Sequence, residues 1–332
     1  MNRLTTILIL SMALLSGCGK PSDPDLIFDS GGYKVISRFT TPGNPQDVIK
    51  HDTLLCFAQG EGGLLIVGIR DVENPTLVSI TTESVRGYSR RIAQKGNVVY
   101  LSAGTFGLSV VDITNAINPE VTVSNLNVKP AKDITVYGDY LFISTSEQGV
   151  RIAEVSNPRT PDIRERTLTN GYANGVAISE DGKYMFVACG EMGVSVFDIS
   201  NFDEGYGIYP LVSWVDFPGY AESIALCDDR PIAYVASRAS GVQVIDFSDI
   251  NKLSVVGSFE TGGVANDLAY TRGKLYVSAQ KAGLHILDAT NPTNLKRIGW
   301  VNSKNAMGFD YDDQYIYLAD DSEGLIIIAI PK

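Results

Sequence analysis

Carboxylates are the residues of this sequence with the best prospect of doing chemistry, because other catalytic and metal-binding types are scarce. The 332 residues include two histidines, His51 and His285. No histidine, cysteine and carboxylate cluster has metal-ligand spacing, and no phosphate loop, nucleophile elbow or catalytic triad is found. We therefore expect no metal, no cofactor and no catalytic residue of a recognisable type. Acid–base chemistry would depend on carboxylates whose pKa values are pulled apart by their surroundings.

A dense acidic group lies near the C-terminus. Its members are Asp310, Asp312, Asp313, Asp320, Asp321 and Glu323. We expect the first half and the second half at opposite ends of one strand, so that they cannot share an ion. Calcium at the second half stays open as an alternative, although calcium needs six to eight oxygen ligands.

Seven copies of one short pattern fill most of the chain and decide where any such residue lies. Each copy contains one glycine at the same position of the pattern, and these glycines are Gly63, Gly107, Gly149, Gly193, Gly241, Gly283 and Gly324. A repeat of about 40–45 residues is typical of a β-propeller with one four-stranded blade per repeat. The sequence therefore predicts an all-β, seven-bladed β-propeller.

Each copy carries the same residue types around its glycine. An aromatic residue stands seven positions before it (Cys56 in the first copy), a small residue five before it, and a run of apolar residues after it. These types suit buried strands packed closely between blades. The glycine is interpreted as a turn with positive φ, or alternatively as a point of close backbone approach. The acidic or amide residues five and eight positions after it are interpreted as turn acceptors rather than metal ligands.

A family resemblance is clear in three of these segments. Gly107–Ile113, Gly193–Ile199 and Gly283–Ala289 resemble LVIVD repeats, which occur in bacterial surface and exported proteins. The resemblance covers the chain from about residue 33 to the end and implies the propeller fold. It implies no shared catalytic residue that could be placed on this sequence.

The last copy ends just after its third strand and lacks a fourth. The segment Tyr33–Phe39 near the start of the chain resembles the outer strands of other copies. We therefore expect this N-terminal strand to complete the last blade, because pairing the two ends removes open strand edges and closes the ring. The predicted domains are residues 1–17, 18–32 and 33–332.

The best candidate site is the loop that enters the first strand of each blade, because such loops crowd around one mouth of a propeller channel. These positions are mostly polar and vary from copy to copy, whereas the rest of the repeat is uniform. The predicted ligand-binding residues, which include three tyrosines just before these positions, are Asp47, Tyr88, Arg90, Arg91, Lys132, Asp133, Tyr172, Tyr220, Glu222 and Asp267. A solvated channel mouth without a ligand is the alternative.

The first residues predict export and lipidation. Residues 1–17 combine Arg3 with an apolar core too short to span a bilayer, and Leu15–Cys18 resembles a bacterial lipobox. We expect Cys18 to be lipidated and residues 18–32 to be a flexible tether. The alternative is an unrelated cysteine near an ordinary cleavage site. The expected location is the bacterial cell envelope, at the outer membrane or cell surface more than at the inner membrane.

The net charge of the chain limits the kinds of partner that it is expected to bind. The formal net charge of −11 argues against nucleic acid and against electrostatic attraction to anionic lipid, so the lipid at Cys18 would hold the chain to a membrane. We expect a monomer with no framework of disulfides. One pair between Cys189 and Cys227 stays open.

These features leave three interpretations of the function. The first is a non-enzymatic envelope lipoprotein that holds a protein, peptide or glycan partner at the loop-rich face around the channel. The alternative is a propeller hydrolase or lyase that uses Asp47, Asp133 or Asp267 with an arginine. A purely structural envelope protein is a third interpretation.

Overall fold

The computed structural model describes residues 30–332 apart from 83, 84, 86 and 203–208. The described part consists of seven antiparallel sheets of four strands. The predicted all-β, seven-bladed β-propeller is confirmed. No helix within these described ranges is both long enough and apolar enough to cross a bilayer. The predicted signal peptide, Cys18 and most of the tether lie outside the described residues.

The first four blades follow one another along the chain. Blade 1 consists of β2 (Asp47–His51), β3 (Leu54–Ala58), β4 (Leu64–Gly68) and β5 (Thr76–Thr81). Blade 2 consists of β6 (Arg91–Lys95), β7 (Val98–Ser102), β8 (Leu108–Asp112) and β9 (Glu120–Leu126). Blade 3 consists of β10 (Asp133–Tyr137), β11 (Tyr140–Ser144), β12 (Val150–Glu154) and β13 (Asp162–Thr167). Blade 4 consists of β14 (Gly175–Ile178), β15 (Tyr184–Ala188), β16 (Val194–Asp198) and β17 (Leu211–Val215).

The last three blades close the ring. Blade 5 consists of β18 (Ser223–Leu226), β19 (Ile232–Ala236), β20 (Val242–Asp246) and β21 (Ser254–Phe259). Blade 6 consists of β22 (Asp267–Thr271), β23 (Lys274–Ser278), β24 (Leu284–Asp288) and β25 (Lys296–Val301). Blade 7 consists of β26 (Ala306–Tyr311), β27 (Tyr315–Asp320), β28 (Gly324–Ala329) and β1 (Lys34–Phe39).

The blades have an inner and an outer side and two faces. The first strand of each blade is innermost, and the first strands of neighbouring blades pack side by side around a central channel. We call the upper face the one with the turns between second and third strands and the loops that enter the first strands. The lower face carries the remaining connections. The candidate site residues therefore lie on the upper face or just below it.

The N-terminal strand closes the ring as predicted. β1 pairs antiparallel with β28, from Lys34 opposite Ala329 to Phe39 opposite Leu325. This register puts the beginning of β1 at the lower face and its end at the upper face. Blade 7 thus gains its fourth strand from the start of the chain, and the open edges of the chain ends are removed.

The repeated glycine satisfies both interpretations that the sequence left open. All seven glycines have a positive φ, for example 91° at Gly107 and 69° at Gly193. A Cβ at Gly107 would also collide with the carbonyl oxygen of Leu126, and a Cβ at Gly193 would collide with that of Val215. The outer strand of each blade ends directly against this turn. Glycine is therefore required by both the dihedral angle and the space.

The hydrophobic core lies between blades, and the predicted packing positions form it. The aromatic residues seven before each glycine are buried, and Cys56 takes their place in blade 1 with no exposed surface. Burial raises the pKa of the Cys56 thiol to about 12. The small residues five before the glycine are also fully buried. Three of them do more than pack, because Ser102, Ser144 and Ser278 donate to carbonyl oxygens in the next blade, which are those of Lys132, Asn174 and Met307.

The repeated acidic and amide residues are turn acceptors, as predicted. Asp198 and Asp288 accept the backbone N–H two residues further on, at 2.9 Å each. Asn157 and Asn291 do the same eight residues after their glycines, at 3.2 Å and 3.1 Å. These side chains satisfy local backbone donors at the lower face and do not converge on a common point.

The outer strands carry an irregularity that the sequence did not reveal. The pairing of the third and fourth strands shifts register near its middle, as between Ile66 and Val67 in blade 1 or between Ile286 and Leu287 in blade 6. Such bulges increase the local twist of a sheet.

Candidate functional site

The upper-face loops converge on the channel. A cavity of about 40 Å³ at its mouth is lined by residues from every blade, which are Gln46, Arg90, Arg91, Lys132, Asn174, Glu222, Asn266 and Met307. The repeat therefore brings these loop positions together as the sequence suggested. The volume has room for only a few water molecules. A larger ligand would have to lie above this mouth.

Four of the predicted site residues form the channel ring, which we define as Asp47, Arg91, Asp133 and Asp267. They are the first residues of β2, β6, β10 and β22. Arg91 crosses the channel from blade 2 to blade 6. One of its Nη atoms lies 2.7 Å from an Asp267 carboxylate oxygen and 3.9 Å from one of Asp47, and the other donates to the carbonyl oxygen of Asn266 at 3.0 Å.

The channel ring has three carboxylates for one guanidinium, and its electrostatics follow from that imbalance. Burial raises the pKa of Asp47 to about 8, although the Arg91 charge opposes this and the Asp267 charge adds to it. Burial also raises the pKa of Asp133 above its ordinary value. Protonation of Asp47 would relieve the repulsion among the carboxylates.

The channel ring carboxylates also connect blades. Asp47 accepts the backbone N–H of Ile92 in the next blade at 3.1 Å, and Asp133 accepts that of Val176 at 3.1 Å. Ser223 donates to Asp267 at 2.9 Å. These contacts join neighbouring blades and give the channel ring a structural role.

Neighbouring amide side chains extend this belt. Asn174 donates to the carbonyl oxygen of Ala221 at 3.0 Å, and Asn266 donates to that of Met307 at 3.2 Å. Each bond runs from one blade to the next. Gly308 has no side chain for a related reason, since a Cβ there would collide with the Asp47 carboxylate.

The other six predicted residues form the rim, which we define as Tyr88, Arg90, Lys132, Tyr172, Tyr220 and Glu222. They lie above the channel ring, and Tyr88, Arg90 and Tyr172 are exposed. Tyr88 lies against Gly60 and Tyr220 against Gly190, where a Cβ would come within 3.0 Å of either ring. The glycine turn of one blade thus seats the tyrosine of the next.

The rim adjoins the larger cavity of the upper face, of about 570 Å³. Tyr88, Arg90 and Lys132 line it with Phe106 and Pro130. Arg90 lies 5.7 Å from the centre of the Tyr88 ring. Burial and then the Arg90 charge lower the pKa of Lys132. Two cations and two aromatic rings are therefore brought together beside the channel mouth.

A second sizeable cavity, of about 700 Å³, lies at the lower face between blades 4 and 5. Tyr184, Phe247 and Cys227 line it together with Arg230. Arg230 is already held by Asp229, at 2.9 Å. Burial raises the pKa of the Cys227 thiol to about 11, which keeps it a poor nucleophile. This cavity offers an apolar surface and a charge that is already paired.

The acidic group near the C-terminus is divided as predicted. Asp312 precedes β27, and Asp320 ends it. The carboxylate of Asp320 accepts hydrogen bonds from Ser303 and from the backbone of Asn305, Ser322 and Glu323. Protein donors therefore use this carboxylate. Within the described ranges, no three His, Cys, Asp or Glu side chains are grouped closely enough to hold a metal ion.

The cysteines and His285 are structural in their placement. Cys56, Cys189 and Cys227 are free thiols, so the pair left open between the last two is not formed. His285 is buried against Phe259, with 6.1 Å between ring centres. Burial lowers the pKa of His285 to about 4, which keeps the imidazole neutral.

Sequence reasoning missed Phe106 and Arg238 because it considered only the loops that enter the first strands. Both residues lie on turns between second and third strands, which share the upper face. Arg238 stands where other turns carry Gly60, Gly104 and Gly190 at the bridge to the next blade. A large charged side chain at a position that glycine holds in three of the six bridged turns was the available signal.

Comparison with known proteins agrees with the fold. The LVIVD repeat family matches residues 86–125, 130–169, 170–202, 218–261 and 262–303, which is more than half of the chain. No curated protein was found to match the sequence.

Solved structures resemble the chain in fold alone. The WD40 β-propeller domain of Doa1 has a TM-score of 0.69 at 10% identity and covers 91% of this chain and 98% of its own. The Myceliophteria thermophila Cps50 (Swd1) β-propeller domain has a TM-score of 0.67 at 9% identity, with 90% and 100% covered. The computationally designed Ika8 protein has a TM-score of 0.62 at 10% identity, also with 90% and 100% covered.

Proposed function

The chain belongs to the LVIVD-repeat family, and we propose that it is a non-enzymatic binding scaffold of the bacterial cell envelope. In this proposal Cys18 carries a lipid that anchors the chain, a monomeric propeller stands on the tether, and the rim holds a protein, peptide or glycan partner. The outer membrane or cell surface is the proposed location.

The exposed aromatic and cationic groups of the rim carry this proposal. Tyr88 and Tyr172 of the rim and the neighbouring Phe106 are each about 39–46% exposed on the upper face. Arg90 and Lys132 lie beside them on the same face. Aromatic and arginine side chains are the usual centres of binding energy at protein surfaces.

The entry point of the chain supports the proposed orientation. Ser30 and Tyr33 lie at the lower face, where β1 begins. A lipid joined to the chain before this point leaves the upper face and its rim directed away from the attachment. The rim would therefore be open to a partner while the chain is anchored.

The contacts of the channel ring speak against the alternative of a hydrolase or lyase. A substrate would have to displace Arg91 from Asp267, and the cavity at the mouth is about 40 Å³. The carboxylates of Asp47 and Asp133 already accept backbone N–H groups from neighbouring blades. Binding above the ring requires none of these contacts to break.

Capture of partners from envelope extracts tests the scaffold. The chain should retain a partner that an Arg90→Ala, Lys132→Ala double variant retains about tenfold less well. A matched control removes two cations from the lower face, Lys183→Ala and Arg272→Ala, and should behave as the parent. Equal loss in both double variants would show that net charge, not the rim, governs binding and would overturn the proposal.

Cell fractionation tests the anchor. The Cys18→Ser variant should move from the membrane fraction to the soluble fraction, because a transferred acyl chain is its only proposed attachment. Unchanged membrane association of this variant would contradict lipid anchoring at Cys18.

A further inference from the structure

The upper face repeats one three-residue corner at three blades, and two of the copies have opposite charge and occupancy; the third, formed by Tyr172, Asn174 and Gly190, has no charged residue. Each corner consists of three residues. They are a tyrosine that directly follows a glycine, the residue two positions after that tyrosine, and the residue in the next turn between second and third strands that bridges to the following blade. The closed corner is Tyr220, Glu222 and Arg238, and the open corner is Tyr88, Arg90 and Gly104. The positions are equivalent in backbone, because φ is 46° at Arg238 and 53° at Gly104 and both residues bridge to the next blade.

The closed corner is filled by the protein itself. The Arg238 guanidinium lies 4.3 Å from the centre of the Tyr220 ring. Its Nε and one Nη are each 2.8 Å from a carboxylate oxygen of Glu222. The planar guanidinium of Arg238 is thus stacked on Tyr220 and held by Glu222, two positions after that tyrosine.

The open corner lacks this occupant and has the opposite charge at the holding position. Gly104 has no side chain, and no atom lies within 4 Å of where its Cβ would be. Arg90 stands where Glu222 stands in the closed corner. The resulting cavity of about 570 Å³ falls in the size range of small-ligand pockets. A group that fills this corner as Arg238 fills the other would lay a flat face on Tyr88 and direct a negative charge toward Arg90.

The cations of the open corner have their donors available. In the part of the chain that the structure describes, neither the Arg90 guanidinium nor the Lys132 ammonium forms an ion pair or donates a side-chain hydrogen bond. Both line the same cavity, where Phe106 provides a second ring and Glu61 contributes a carboxylate, so that the two cations outnumber the acid. A carboxylate between the two cations would receive charge-assisted hydrogen bonds and reduce their mutual repulsion.

We propose that the open corner binds a small organic carboxylate that carries a ring, with one face of the ring against Tyr88 and Phe106 and the carboxylate between Arg90 and Lys132. This inference rests on the proposed function, because it assigns a ligand chemistry to the rim. An aromatic acid and an acidic sugar share that chemistry, and they are separated by the choice of probe.

Titration of the purified chain with benzoate and with glucuronate tests the proposal by calorimetry or ligand-observed NMR. Benzamide and glucose are the uncharged controls. At least one acid should bind with one site per chain and at least tenfold tighter than its control, and the tighter acid identifies the source. Arg90→Ala and Lys132→Ala should each weaken it about tenfold. Equal binding of acid and control, or no binding of either acid, would overturn the proposal.

Exchanging the two corners gives a sharper test. The double variant Gly104→Arg, Arg90→Glu should abolish binding, and arginine is tolerated at this backbone angle because Arg238 adopts it. The reciprocal variant Arg238→Gly, Glu222→Arg keeps Asn266 and Ser240 where the open corner has Lys132 and Phe106, so any second site it gains should be at least tenfold weaker than the first. Thermal unfolding of both variants shows whether the fold is kept. Unchanged binding in the first folded variant would contradict the assignment of the open corner.

The outcomes separate this inference from the proposed function. If neither acid binds while partner capture still depends on Arg90 and Lys132, the ligand chemistry is wrong and the scaffold stands. If an acid binds at the open corner while partner capture is independent of both residues, the ligand chemistry stands and the scaffold is wrong.

Discussion

Arg90 and Arg91 are neighbours in the chain, yet they belong to two regions with different physics. Arg91 is in the channel ring, where its side chain is 14% exposed and reaches Asp267 at 2.7 Å. Arg90 is at the rim, exposed, and lies above Tyr88. The charged side chains of the channel ring connect neighbouring blades. Arg90 and Lys132 of the rim place their charges where a partner can reach them. Burial, and not residue type, decides which task an arginine has.

The largest expected effect is the loss of Arg91. Arg91→Ala leaves Asp47 and Asp267 in a buried site without their cation, which costs about 3–5 kcal/mol in the free energy of unfolding. Urea unfolding at pH 7 measures this. Arg91→Lys is the matched control and should lose less, since it keeps the charge but fewer donors. A cost for Arg91→Ala below about 0.5 kcal/mol would contradict a structural role for the ring.

The second expected effect is a pH dependence of stability that arises from Asp47 in the channel ring. The native pKa of Asp47 is raised to about 8 from 3.8. The native state therefore keeps a proton that the unfolded chain has released, and this contribution to stability is full below about pH 4 and lost as pH rises through 8. Asp47→Asn should flatten that decline relative to the parent. The exposed control Asp313→Asn should not change it, and parallel curves for parent and Asp47→Asn would contradict the raised pKa.

A smaller effect is expected at the closed corner, which is intermediate between the two regions. Arg238 is about half-exposed, with stacking on Tyr220 and an ion pair with Glu222. Arg238→Ala should cost about 1 kcal/mol in the free energy of unfolding, because stacking and an ion pair at an exposed site each contribute a fraction of that. Arg272→Ala, which removes an exposed ion pair with Asp313, should cost less. Equal costs would show that the stacking adds nothing.

The fold could be predicted because its signals are local and repeated. The glycine at each turn, the aromatic seven residues before it and the spare N-terminal strand each predict a feature that the structure confirms. The bulges in the outer strands could not be predicted, since they follow from the twist of a complete blade and have no residue type of their own.

The candidate site was predicted only as a group of loops. The division of the site into channel ring and rim depends on how far each side chain reaches, as for Arg90 and Arg91. Adjacent positions in the sequence do not show this difference. Phe106 and Arg238 enter from other turns, which are brought to the rim by the assembly of blades. The sequence could identify the loops that meet at the channel but not which of their side chains are already paired across it.

One measurement tests the central claim, that the rim binds and the ring supports, more directly than any other. Arg90→Ala should bind benzoate or glucuronate, whichever the parent binds, about tenfold more weakly, while its free energy of unfolding stays within about 0.5 kcal/mol of the parent. Both quantities are measured on the same preparation, beside Arg91→Ala. Unchanged affinity, or a loss of stability as large as that of Arg91→Ala, would contradict the account.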